Sequence, residues 1–159
     1  GALSPSVGMI SGLCREFSLK SKKEQDILFK TLLDTPVMHV DGTVARVNGR
    51  NHNVVVCSNG AATMYFAREN KGHAGIKETP VETFGGILIH DHEACFYSYG
   101  SDHQECMVHI ERYLRDSMEN EKHLTWNREM LKLIQEMIHE NNLAPEGMAD
   151  ERIAEFEAR

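Results

Sequence analysis

The 159-residue chain has no run of about eighteen apolar residues, so nothing in it reads as a membrane span. It is poor in cysteine. Cys14, Cys57, Cys95 and Cys106 are too sparse for a disulfide scaffold, which points to a reducing, cytoplasmic setting. The start of the chain lacks a basic stretch followed by an apolar core, so no secretory signal is expected. Glycine-rich phosphate loops of the P-loop or dinucleotide type are absent, as is a G-x-S-x-G elbow. Repeats and low-complexity tracts are absent too. Positive charge is also in deficit, with 17 Lys/Arg against 24 Asp/Glu and a net charge of −7. A strong non-specific grip on nucleic acid, which depends on Lys and Arg displacing counterions, is therefore disfavoured. An acidic site that holds metal against nucleic acid is not excluded.

What is present is the balance of a globular protein, 41% hydrophobic and 26% charged. The acid is unevenly placed. Residues 1–100 carry ten basic and ten acidic side chains, whereas residues 101–159 carry seven and fourteen.

Helical spacing of Met9, Ile10, Leu13 and Phe17, after a Ser4-Pro5 cap, predicts a first helix. A second carries Ile27, Leu28, Leu32 and Leu33 and ends before Pro36. The period then shortens to two. Strands are predicted over 37–47, 52–57, 62–68 and 86–89, with Asn48-Gly49 as a hairpin turn and a short, poor helix over 73–83. Ser101 and Gln104 match a capping box that opens a helix through Met118. Two more helices follow, over about 124–142 and 150–159. A β-β-β-α-β order implies a mixed α/β sheet with the fourth strand parallel to one of the first three.

Two carboxylates interrupt the apolar strands, Asp41 in VMHVDGT and Asp91 in GILIHDH. If the first and fourth strands lie side by side, the two converge on one sheet edge. Their mutual repulsion would then call for a bridging divalent cation, and oxygen ligands favour Mg²⁺ or Mn²⁺ over zinc. The competing reading makes both solvated strand-end residues. A second cluster comprises Asp91, His92, Cys95, His103, Cys106 and His109, with Cys106 and His109 in C-x-x-H spacing. It allows a structural Zn²⁺, but zinc sites usually show two well-spaced pairs, and Cys106 also fits an apolar helix face.

HVDGT, then RVNGRNH, GGILIHDHEACFYSYG and HQECMVHIERYLRD, in that order, resemble the transposases of the insertion sequence 66 family. The segments SVGMISGLCREF, TWNREMLKLIQEM and LAPEGMADERIAEFEAR extend the resemblance over most of the chain. It implies a ribonuclease-H-like fold with an Asp-Asp-Glu metal triad that cuts and rejoins DNA at transposon ends. It also implies Mg²⁺ or Mn²⁺ as cofactor, and homo-oligomeric assembly with accessory proteins. Asp41 and Asp91 take the first two triad positions. His39, His90, His92, Cys106, His109 and Arg112 become supporting or DNA-contacting residues. The expected layout is a helical segment 1–35, a catalytic core 36–120 and the start of a helical insertion 121–159.

Two departures from the family pattern stand out. Gly42 follows the first aspartate where the family commonly has glutamate. The third triad carboxylate, expected after a helical insertion and a fifth strand, is not identified, so a fragment inactive by itself and lacking that strand is expected. A non-catalytic binding module on the same fold, or a zinc-stabilised module using the Cys/His cluster, are the other readings.

Overall fold

The computed structural model describes residues 4–159. The chain divides into two compact units, Gly1–Gln104 and Glu105–Arg159.

The first unit opens with α1 (Val7–Lys20) and α2 (Lys22–Leu33), parted at Ser21 within the polar stretch 18–23. Ser6 rather than Ser4 caps α1, its hydroxyl accepting the Met9 N–H at 3.2 Å. The apolar stripe of α1 is exposed, and no residue of that helix is buried. In α2, by contrast, Leu32 is fully buried.

Next come β1 (Val37–Val47) and β2 (Arg50–Ser58), joined antiparallel by Asn48-Gly49. Those two residues take φ of 50° and 77°. A two-residue hairpin loop requires this left-handed backbone to match strand twist. β3 (Thr63–Arg68) pairs antiparallel with β2. The crossover is not the single helix 73–83 of the sequence reading. It is one turn, α3 (His73–Ile76), and a separate 3₁₀ turn at Pro80–Thr83. Lys77 leaves the helical region with ψ of 134°, and Pro80 has no N–H to continue a helical ladder.

β4 (Ile87–His90) then runs parallel to β1, pairing Val37 with Ile87, Met38 with Leu88 and His39 with Ile89. Gly86 lets this happen. A Cβ there would sit 2.5 Å from the Pro36 carbonyl oxygen, the same oxygen that accepts the Ile87 N–H at 2.8 Å.

The expectation of a missing fifth strand is corrected. The sheet has five strands in the order β3-β2-β1-β4-β5, with β5 at Asp102–Glu105. Its sequence, DHQE, holds no apolar residue, so no alternation could announce it. Polar edge strands of this kind resist pairing with other chains. The proposed capping box at Ser101 and Gln104 falls on this segment instead. Ser101 N–H bonds the Gly86 carbonyl at 2.9 Å, and the helix begins later.

Alternation along the strands builds the core. Met38 and Val40 of β1, Val55 and Cys57 of β2 and Leu88 of β4 are buried together with Leu32, Ile76, Val81, Phe84 and Phe96. His39 and Asp41 point to the other face of β1 and are exposed.

The second unit is helical: α4 (Met107–Asn120), α5 (Trp126–Leu143) and α6 (Asp150–Glu157). Leu114, Leu131 and Ile134 form its buried cluster, flanked by Met107, Ile110, Met118 and Ile138. Asn127 is fully buried and donates to the Ser117 hydroxyl at 3.2 Å, which ties α5 to α4. Phe156 of α6 is buried beneath the Arg152 guanidinium, 4.4 Å from the ring centroid.

Candidate functional site

The register of β1 and β4 decides where the two strand aspartates go. Parallel pairing reaches His39 and Ile89, and two residues further on the chains carry Asp41 and Asp91. Side chains two apart share a face, so both carboxylates lie on the side of His39 and Ile89. They offer oxygens within 4.8 Å of one another. Asp41 is exposed and Asp91 half-buried.

Backbone amides orient each carboxylate. Asp41 Oδ1 accepts the N–H of Gly42 at 2.8 Å, and Asp91 Oδ1 accepts the N–H of Glu93 at 3.1 Å. A hydrogen bond from a fixed amide holds a carboxylate oxygen in direction.

His90 supports the loop from beneath. It is fully buried, its Nδ1 donates to the Asp91 carbonyl, and its Nε2 lies 3.1 Å from His103 Nδ1. A carbonyl can only accept, so Nδ1 carries the proton. For the neutral ring, Nε2 is then the acceptor and His103 the donor. Tyr97 presents an edge to the His90 ring, with centroids 4.7 Å apart. His92 is exposed, and its Nδ1 meets the Tyr97 hydroxyl at 3.4 Å. The histidines of the HDH stretch thus have separate environments, one fixing the loop and one facing solvent.

The Cys/His cluster of the sequence reading is divided between the units, with Cys95 and His103 in the first and Cys106 and His109 in the second. The Cys95 thiol donates to Glu93 Oε1 at 3.3 Å. Burial, followed by Glu93 and Asp91, pushes it up to about 12. A thiol held protonated is poorly suited to ligate zinc, which binds the thiolate. Cys106 is the N-cap residue of α4, and its carbonyl accepts the His109 N–H at 2.9 Å. Arg112 follows within the same helix.

Sequence reasoning did not single out Glu93 or Asn53. Glu93 touches both Asp91 and Cys95, and Asn53 is one of four buried polar residues among those described. The signal for Glu93 was its place in the HDHE run. Asn53 sits in a valine-rich strand and carried none.

A mixed sheet that brings two oriented carboxylates together beside adjacent parallel strands defines an α/β domain with a close acidic pair. Residues 6–159 match the family model described as transposase IS66 family, and the chain belongs to that family. No curated protein and no solved structure matches it. Membership carries a transposase-related function in DNA transposition and recombination, with DNA as substrate. Among the described residues no helix is long and apolar enough to cross a membrane.

Proposed function

We propose that this chain forms part of a ribonuclease-H-like catalytic domain that cuts and joins DNA phosphodiester bonds at transposon ends. Asp41 and Asp91 serve as ligands for Mg²⁺ or Mn²⁺. The observation that carries this reading is the approach of their carboxylates to within 4.8 Å on neighbouring parallel strands. Two carboxylates this close repel, a bridging cation relieves that repulsion, and an all-oxygen donor pair fits a hard divalent ion. When bound, such ions activate the attacking hydroxyl and neutralise charge at the leaving oxygen.

The chain's own residues have distinct tasks in this reading. The amides of Gly42 and Glu93 hold the carboxylates in direction. The His103–His90 pair fixes the Asp91 carbonyl, so that the loop after β4 keeps its shape without an ion. His39, exposed two residues before Asp41 on the same face, and the exposed His92 are assigned supporting or DNA-contacting roles. Cys106, His109 and Arg112 are assigned supporting or DNA-contacting roles on α4. In this reading strand transfer requires a third triad carboxylate besides Asp41 and Asp91. Cytoplasmic location, homo-oligomeric assembly and accessory proteins belong to the same proposal.

The test is Mn²⁺ binding by the whole chain, followed by electron paramagnetic resonance. Asp41→Asn and Asp91→Asn should each weaken one binding class by at least about tenfold, as expected when a ligand charge is removed. Unchanged affinity in both variants would remove the carboxylate pair as a cation site and leave a non-catalytic DNA-binding module.

A further inference from the structure

The face of β1 opposite Asp41 is bordered by two oxygen acceptors. Met38 and Val40 point to the covered face of the sheet, and alternation places Gly42 next in that row. Gly42 has no side chain, and the space a Cβ would take is bordered by two acceptors. One is Asn53 Oδ1 at 3.6 Å and the other is Glu93 Oε2 at 3.8 Å. Asn53 is 5% exposed, and its Oδ1 has no hydrogen-bond partner.

A buried amide oxygen without a donor is costly, and such groups call for a specific explanation. Here a carboxylate oxygen borders the same space. Two acceptors facing one gap are satisfied together only by a donor or a cation placed between them. One contact holds Glu93: Cys95 donates to its other oxygen. Asn53 Nδ2 lies 3.5 Å from where a Cβ on Gly75 would sit.

We infer that Asn53 Oδ1 and Glu93 Oε2 hold a hard divalent cation over Gly42, at a site separate from the Asp41–Asp91 pair. Amide and carboxylate oxygens are the ligands such ions take, with water completing the shell. Because the Glu93 N–H also holds Asp91, an ion here would brace the loop from the covered side of the sheet. This site stands on the orphaned Asn53 oxygen and does not depend on the phosphoryl-transfer reading.

The probe is Mn²⁺ alone, counted against the whole chain carrying Asp41→Asn and Asp91→Asn together. One Mn²⁺ should remain bound per chain, and adding Glu93→Gln should weaken it at least tenfold. Gly42→Ser should weaken it comparably in the same background, because its hydroxyl would donate into the gap while every acidic residue there stays in place. Circular dichroism should show the same fold in each variant, and the rise in thermal midpoint on adding Mn²⁺ should vanish with the binding. If the double aspartate variant binds no Mn²⁺, this site is refuted while the Asp41–Asp91 reading stands. Residual binding indifferent to both Glu93→Gln and Gly42→Ser refutes it as well. A single wild-type site lost in Glu93→Gln but untouched by Asp41→Asn and Asp91→Asn would support this site and overturn the other.

Discussion

The two units are held by different forces. In the sheet unit eleven buried apolar side chains form one cluster, five of them contributed by β1, β2 and β4. In the helical unit the buried apolar cluster is three residues, and α6 adds the buried Phe156 and a set of ion pairs. Arg152 Nε donates to Glu140 at 2.6 Å and also pairs with Glu155, while Arg159 reaches Glu136 at 2.8 Å. Apolar burial is indifferent to pH and little affected by salt, whereas exposed ion pairs are sensitive to both. The unit that carries the oriented carboxylates is therefore the one whose metal-free stability should depend less on salt and pH.

The largest test of this contrast is a pair of truncations. Leu88 is fully buried in β4 between β1 and β5, and Leu88→Ala should cost about 2–5 kcal/mol through lost transfer energy and the cavity left behind. Leu131 is 7% exposed within the smaller cluster of α4 and α5, and Leu131→Ala should cost about 2 kcal/mol, the low end of the same range. Denaturant unfolding followed by circular dichroism measures both. Equal losses would show that the helical unit relies on burial as much as the sheet does.

That difference also explains how much could be read from the sequence. Strands with an apolar face were visible, because valine and isoleucine alternate or run together in β1, β2 and β4. Asn48-Gly49 declared its turn by chemistry. The convergence of Asp41 with Asp91 was conditional on the first and fourth strands being neighbours, and the parallel pairing of β1 and β4 meets that condition. β5 escaped because DHQE lacks any apolar signal, and its place depends on a tertiary bond from Ser101 to Gly86. The crossover was misread as one helix because local spacing does not report the break at Lys77–Glu78, where Glu78 takes φ of 60°. Asn53 and Glu93 come together across a bare Gly42, and no spacing rule connects residues forty positions apart.

A medium effect is expected at Gly86, where β4 begins its parallel run beside β1. Gly86→Ala would press a methyl group against the Pro36 carbonyl oxygen at 2.5 Å and the Phe84 ring at 2.7 Å. One of them must move, and the Pro36 oxygen already holds the Ile87 N–H. The expected cost is about 1–3 kcal/mol, as for other over-packed sites. The same shift should disturb the register that brings Asp91 beside Asp41, so Mn²⁺ affinity should fall along with the thermal midpoint. Loss of stability with unchanged Mn²⁺ binding would mean that the acidic pair tolerates movement at the start of β4.

The smallest effect should come from the charged clamp of the helical unit, and it carries a sign. Hydrogen bonding to Arg152 holds Glu140 below the usual carboxylate range. A carboxylate depressed in the folded state adds stability that is fully present above its unfolded pKa. That contribution fades as pH falls through the folded pKa, because the unfolded chain binds the proton first. Glu140→Gln should therefore lower the thermal midpoint slightly at pH 7, and the gap from the parent chain should close on acidification below the ordinary carboxylate range. Raising the salt at pH 7 should narrow it too, since both side chains are partly solvent-exposed. Leu88→Ala should show neither trend. A Glu140→Gln deficit that persisted in acid and in salt would reassign α6 docking to the packing of Phe156 under the two guanidinium groups of Arg152 and Arg159, and away from the ion pair.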